Sequence, residues 1–456
     1  MKKTNLIMGM LFLGTLVSCD IFGQPTKPTE NSKSSSKSFS EKESSSSSSY
    51  DPVSVLISEG YKYNDEYDWY EKITEDKNDS KVKSYTAIFD LTTSENRKVT
   101  YEISASFSTV SFVGDSSRSY YGSIVALERS SDLIIEMHNF NYAGIDGISS
   151  KPAIDASLVS SEYKVTTSIY GNIKGEGGNG EKGSDGYSYN INSNNSSSSY
   201  ARDGGRGNNG GNGAPMILGN NLVLIINKGS KVSIHGGDGG RGGIGGDGEG
   251  GSSSGIGYSG DGGYGGNGGS GAYAIKATED LSIQNNGSLN IIGGNGGDGG
   301  DGGDGGNNLD DGTFDRAEHG GDAGDGGRGG DGNYAICIES GHEITLKGNI
   351  ITLYGGNGGD GGDGGNGGNS CKNAFQSSNG GNPGDAGSGG DGGNGEIGYV
   401  SEVINSKIIN LPGIGGKGGS HGNPGYNKAI GYGFSGVDGR DGITPSKDED
   451  DDQSIL

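Results

Sequence analysis

The chain has 456 residues, of which 98 are glycine and only 29% are hydrophobic, and its formal net charge is −24. Glycine at about three times its usual share marks a special class. Collagen is excluded, because it needs one glycine in three with abundant proline, whereas here two of every three residues are glycine in long runs and only nine prolines occur. The acidic balance excludes a basic face for nucleic acid, and three cysteines exclude a disulfide framework.

Lys2 and Lys3 open the chain as a positive segment, and Leu6 to Val17 follows as an apolar stretch ending in Leu16-Val17-Ser18-Cys19. The stretch is too short to span a bilayer, which takes about 20 apolar residues. This order of hydrophobic stretch, small residue and cysteine resembles the lipobox of bacterial lipoproteins. The resemblance implies a signal peptide over 1–18, lipidation of Cys19 and a mature chain held at the cell envelope through that lipid. Two or three acyl chains satisfy the requirement for stable attachment. Residues 19–52 are rich in Ser, Lys, Glu and Pro, with serine runs at 34–36 and 45–49. Such composition buries too little apolar surface to offset chain entropy, which predicts a disordered, lipid-anchored tether.

Residues 53–175 are predicted to hold an N-terminal cap, with Trp69 in its irregular part, and three plain strand-rich units at 99–113, 123–144 and 152–175. Residues 176–445 then repeat. Leu222 to Gly237, Asp280 to Gly294 and Glu343 to Gly356 align on their closing glycine pairs, with spacings of 57 and 62 residues. In each copy apolar residues (Val232 and Ile234, Leu289 and Ile291, Ile351 and Leu353) flank a polar one (Ser233, Asn290, Thr352). That is the strand period of two. Weaker copies end near Gly175 and at Gly415-Gly416. One strand earlier stand Ala272 to Ala277 and Asn333 to Ile338, so a unit takes 22 or 23 residues. Units of this length, with three short strands, resemble coils of a right-handed parallel β-helix. The expected fold class is therefore all-β, a solenoid whose coils share one core, with a β-sandwich as the alternative for the same strands. Residues 446–456, including Lys447 to Asp452, form an acidic tail predicted to be disordered.

Glycine-rich stretches at 175–213, 236–271, 293–333 and 355–395 separate the units. Three consist of a Gly-Gly-X run, a glycine-poorer tip and a second Gly-Gly-X run. A period of three fits an extended threefold helix of about 3.1 Å rise per residue. Its bare glycine edges would let neighbouring helices pair N–H with C=O, leaving the X side chains facing water. The arms resemble the polyglycine II layers of the receptor-binding adhesin at the tail-fibre tip of T-even-type phages. They also resemble glycine-rich antifreeze proteins, although the X residues here are mostly Asp and Asn.

Function is expected at the tips. Exposed aromatic and charged side chains commonly anchor partners, which singles out Tyr187, Tyr189, Tyr200, Tyr258, Phe314, Arg316, Lys372 and Phe375 as ligand-binding candidates. The expected function is non-enzymatic adhesion or ligand binding, with a glycan or surface protein as partner and no nucleic acid. The alternatives are a carbohydrate-active β-helix enzyme, for which Glu136, His138, Asp146 and Asp155 are the carboxylate and imidazole candidates, and a passive surface spacer. No cofactor is expected. Asp298, Asp301 and Asp304 stand about 9 Å apart along one edge. That is too far for one calcium shell, with oxygens at about 2.3–2.6 Å, so calcium binding would be weak and diffuse. The five histidines form no metal-like pair. Cys337 aligns with Lys276 and is expected to point outward, and Cys371 lies in a tip.

Overall fold

Short alternating segments can bury only one face each, so they pair with their own repeats. The computed structural model describes residues 56–65, 69–76, 83–89, 97–191, 201–251, 258–308, 319–370, 382–398, 408–427 and 431–446. All belong to the second of two units, which divide between Pro52 and Val53. Cys19, the tether and the acidic tail lie outside the described residues.

The described chain is nearly all β. Strands β1 (Lys62–Asn64), β2 (Trp69–Glu75) and β3 (Lys83–Phe89) pair antiparallel. The plain region follows with β4 (Arg97–Ile103), β5 (Phe107–Val113), β6 (Ser119–Ala126), β7 (Leu133–His138), β8 (Asn141–Ala143), β9 (Ile154–Ala156), β10 (Val165–Tyr170) and β11 (Asn172–Glu176). The repeats contribute β12 (Ile217–Gly219), β13 (Leu222–Ile226), β14 (Lys231–His235), β15 (Ile275–Ala277), β16 (Leu281–Asn285), β17 (Ser288–Ile292), β18 (Ile336–Ile338), β19 (Ile344–Gly348), β20 (Ile351–Tyr354) and β21 (Ile408–Leu411). From β3 to β21 every further pairing is parallel. A β-sandwich of antiparallel strands does not describe them.

Three ladders result. One runs β3-β5-β7-β10-β13-β16-β19. The other two grow from one strand: Ser119 to Tyr121 of β6 pair with β8, and Ile124 and Val125 pair with β9. The β8 branch continues β11-β14-β17-β20-β21, and the β9 branch continues β12-β15-β18. The register is the one the repeat implies. Val232 pairs with Leu289 and Leu289 with Ile351, while Ser233, Asn290 and Thr352 form the neighbouring row. Lys276 pairs with Cys337, which is half-buried.

The inward rows make one continuous core. Val165, Leu222 and Leu281 stack in register and are buried, as are Ile234 and Ile291. Each such side chain contributes about 1.5–3 kcal/mol by leaving water. Trp69 lies fully buried at the N-terminal end of this core, against Tyr101 and Phe112. Its Nε1–H donates to the Tyr85 hydroxyl at 3.0 Å, and that hydroxyl donates to Glu71 at 2.6 Å.

Corners between the first two ladders need left-handed backbone. Asn139 (φ 50°) supplies it between β7 and β8, and Gly171 (φ 84°) between β10 and β11. At Gly171 a Cβ would lie 2.0 Å from the Asn139 Oδ1 stacked beneath it. The buried Asn285 is satisfied there too, because its Nδ2 donates to the Ile350 carbonyl at 2.9 Å and its Oδ1 accepts from Gly287 at 3.1 Å.

Candidate functional site

The glycine insertions all leave after the second ladder, and the first three return into strands of the third, so they emerge above one another. Among the described residues there are five, within 177–214, 236–272, 293–333, 355–396 and 413–444. The fifth, carried by the weak copy at Gly415-Gly416, was visible in the sequence only at its start. Each has an outgoing and a return arm.

Every position of the triplet has its own partner. In the second outgoing arm Gly239, Gly242 and Gly245 donate to the carbonyls of Asn295, Asp298 and Asp301 in the next insertion, each at 2.8 Å. The second glycines, Gly240, Gly243 and Gly246, donate to Gly211, Asn208 and Gly205 in the return arm of the preceding insertion. Return arms repeat the scheme. Gly263, Gly266 and Gly269 donate to Gly246, Gly243 and Gly240 of their own outgoing arm, while Gly262, Gly265 and Gly268 reach Asp322, Asp325 and Arg328 of the next. The arms must approach closely for this. A Cβ on Gly243 would stand 2.1 Å from the Ser184 carbonyl oxygen, and one on Gly266 would stand 2.0 Å from that of Asn208.

That leaves the N–H of X, and where X of the preceding insertion is Asp or Asn its side chain accepts it. Asp298, Asp301, Asp325 and Asp391, which follow Arg241, Ile244, Tyr264 and Arg328, take no such bond among the described residues. Asp146 Oδ1 takes the Asn179 N–H, Asn179 takes Asp238, Asp238 takes Asn295, Asn295 takes Asn357 and Asn357 takes Ile414, at 2.7–2.9 Å. On the return side Asp203, Asp261, Asp322 and Asp385 serve Asp261, Asp322, Asp385 and Phe434. Asp298, Asp301 and Asp304 serve Asp360, Asp363 and Asn366. The expectation that X merely faces water therefore needs correcting. Asp, Asn and Ser recur because a short acceptor spans to the next N–H, and an orphan backbone donor is costly. Asn357→Ala is expected to cost about 1 kcal/mol in chemical denaturation and Asn357→Asp close to nothing, since Asn357 only accepts, from the Ile414 N–H. Equal losses in the two variants would contradict the acceptor role.

Stacked acceptors place carboxylates above one another. Burial, outweighing the Asp322 N–H it accepts, raises the Asp261 carboxyl above its ordinary range, with Asp322 and Asp203 adding to the rise. A carboxyl raised in the folded state weakens folding while ionised, and that penalty is lifted as pH falls through its raised pKa. Asp261→Asn keeps the acceptor without the charge. Its melting temperature is expected to exceed that of the native chain at pH 7, with the gap closing on acidification. A gap that widens toward acid pH would refute the assignment.

The two end insertions break the triplet rule, each at one position. Among the described residues only the short 144–151 segment precedes the first insertion in the stack, meeting it as far as Glu181. The second-glycine positions there hold Glu181, Ser184 and Tyr187 in the outgoing arm and Asn208 in the return arm. Among the described residues no insertion follows the fifth, and its first-glycine positions hold His421 and Pro424, then Ser435, Asp438, Asp441 and Thr444. Three of these side chains fold over the fifth outgoing arm. Thr444, Asp441 and Asp438 accept from the N–H groups of Gly415, Gly418 and His421. Pro424 has no N–H to satisfy.

The candidate residues separate accordingly. Tyr187 and Tyr189 lie within the first outgoing arm. The Tyr187 carbonyl accepts from Gly205 and the Tyr189 N–H donates to Asp247, while the Tyr187 ring is 83% exposed. Arg202 stacks 4.2 Å over the Tyr189 ring and forms a two-point ion pair with Glu249, at 2.9 and 3.1 Å. That guanidinium holds the Glu249 carboxyl below its ordinary range. Tyr258 stacks on His319 at 5.1 Å, at the base of two successive tips. At the ends of the fifth and fourth outgoing arms Asn427, fully buried, donates to Ser370 at 2.8 Å. Sequence reasoning missed Arg202, Glu249 and His319, because only the return arms bring them against their partners. Tyr200, Phe314, Arg316, Lys372, Phe375 and Cys371 lie outside the described residues.

The plain region holds two of its four candidates near each other. His138 Nε2 is 3.7 Å from Glu136, which accepts from Ser111 at 2.7 Å, and the His138 ring stacks on Tyr170. Burial pushes the Glu136 carboxyl up, but these hydrogen bonds outweigh it and its pKa is lowered. Asp146 starts an acceptor column, and Asp155 closes a turn on Ser157. Among the described residues no group of three His, Cys, Asp or Glu side chains is placed to hold a metal ion.

No protein-family model and no curated protein matches the chain. A solved structure of a nine-helix polyproline type II bundle, the springtail antifreeze protein from Granisotoma rainieri, matches at 18% identity over 54% of this chain and 95% of its own, with a TM-score of 0.07. That score carries no structural argument.

Proposed function

We propose that this chain is a lipid-anchored, non-enzymatic surface protein that presents tip segments on a bonded platform of glycine arms for adhesion or ligand binding. The three parallel ladders are read as the faces of a right-handed β-helix, and the arms as polyglycine II-type helices packed side by side. Lipidation at Cys19 joins the unit to the cell envelope through the Ser-rich tether.

One observation carries the reading. Each outgoing arm is hydrogen-bonded to its own return arm, and those of the second to fourth insertions are also bonded to the insertions before and after them. Every tip therefore starts and ends at the same far edge, whatever its sequence. Arms of about 13 residues would hold that edge about 40 Å from the ladders. A scaffold bonded only through its backbone and its X acceptors leaves the tip sequences free to vary, which suits recognition.

The test replaces residues 192–200, 252–257, 309–318 and 371–381 with Gly-Ser linkers in the full chain and compares binding to a glycan and host-matrix array. Loss of binding at an unchanged melting temperature is the expected result. Undiminished binding, or glycan cleavage that survives the exchange, would sink the reading.

A further inference from the structure

The fifth return arm carries a row of donors without acceptors. In the fourth return arm Ala386, Gly389, Gly392 and Gly395 donate to the carbonyls of Phe434, Val437, Arg440 and Ile443. The equivalent N–H groups of the fifth arm belong to Ser435, Asp438, Asp441 and Thr444, and among the described residues none of the four has an acceptor. Beside this row the X side chains also change character. In four preceding insertions the column of Phe434 is Asp203, Asp261, Asp322 and Asp385. Phe434, Val437 and Ile443 are 81%, 69% and 66% exposed. Ending the platform removes the need for an acceptor there, but it does not require an apolar residue, and polar ones would be better solvated.

We propose that this arm binds an extended, proline-rich chain with proline at every third residue. The argument continues the interface already described between successive return arms. An incoming residue at the X position accepts from the first-position N–H of the arm beneath it and donates its own N–H to the X side chain there. On the fifth arm the first half of that exchange is on offer and the second is not, because Phe434, Val437 and Ile443 accept nothing. A residue with a carbonyl and no N–H meets both conditions, and proline is that residue. Its fixed φ also suits an extended threefold helix, so a chain with proline every third residue meets the row in phase and loses little entropy on binding. Apolar side chains against the pyrrolidine rings add contact area. A further glycine arm is disfavoured, since all of its X residues would lack the N–H partner that most X residues of the inner return arms have. This inference does not depend on the adhesive role of the tips.

The test titrates the full chain against a fluorescein-labelled peptide of four Ser-Gly-Pro repeats, which keeps glycine at the close-approach second position, and, separately, one of four Ser-Gly-Ala repeats, read by fluorescence anisotropy. The proline peptide is expected to bind at least about tenfold more tightly. Phe434→Asp and Val437→Asp restore the acceptor pattern of the inner arms at exposed positions, and each is expected to weaken the proline peptide by about tenfold without changing the melting temperature. Equal affinity for the two peptides, indifference to both substitutions, or no binding of the proline peptide at about 1 mM would overturn the proposal. So would sedimentation showing that a second copy occupies this face and is released by Phe434→Asp.

Discussion

Gly300→Ala is expected to destabilise the protein by about 3 kcal/mol, far more than a surface Gly-to-Ala change. Gly300 sits mid-arm in the third insertion, and its N–H donates to Gly266 at 2.8 Å. A Cβ there would lie 2.0 Å from the Gly243 oxygen and 2.5 Å from its carbon. Both are backbone atoms in an arm that is itself bonded to others, so neither can turn aside as a flexible side chain would. The added methyl must part the second and third insertions and stretch several hydrogen bonds together. Ala323 and Ala386 show that a first-position residue can carry a methyl in a return arm and still donate, at 3.0 and 2.9 Å. Gly300 holds a second position instead. The control is Glu181→Ala, where a second position of the first insertion, one triplet from the Gly300 column, already carries a side chain, and its expected effect is within about 0.5 kcal/mol. Urea unfolding of both variants decides the matter, and matching midpoints would remove the close-approach argument.

The second large effect is at the other end of the unit. Trp69→Ala is expected to cost about 3–5 kcal/mol. The indole is fully buried, meets Tyr101 at 5.4 Å and Phe112 at 6.5 Å edge-on, and holds the Tyr85 hydroxyl. Its removal leaves a cavity where antiparallel β2 and β3 meet the parallel ladders, while Tyr85 keeps Glu71 as its partner. Amide exchange should therefore quicken first in β2, β3 and β5. Uniform protection in those strands, with stability intact, would show that Trp69 is not what seals this end.

The strand rows and the candidate site differ in how far the sequence discloses them. The rows through Val232, Leu289 and Ile351 could be aligned by eye, because side chains alternate along a strand and the copies repeat the alternation. Even His235, Ile292 and Tyr354 fall in one row as the alignment implies. The arms were legible as a period of three with bare edges. The use of X was not. Asp at X looks like a solvated charge until the N–H of the X residue some sixty positions later is found on its oxygen. The same holds for Arg202 and Glu249, which are 47 residues apart and meet only because a return arm doubles back.

The sequence by itself determined the short-range features: which side chains share a face, where glycine leaves an edge bare and where a lipid anchor is to be expected. These depend on local geometry, a period of two or of three, and need no knowledge of neighbours. Only the tertiary structure decided which donor meets which acceptor, why acceptors recur at X and why the end insertions abandon one glycine each. A backbone N–H has no preference written in its own residue. Its partner is whatever the stacking of distant copies brings within about 3 Å, and at the first and last insertions one side of that stack is missing.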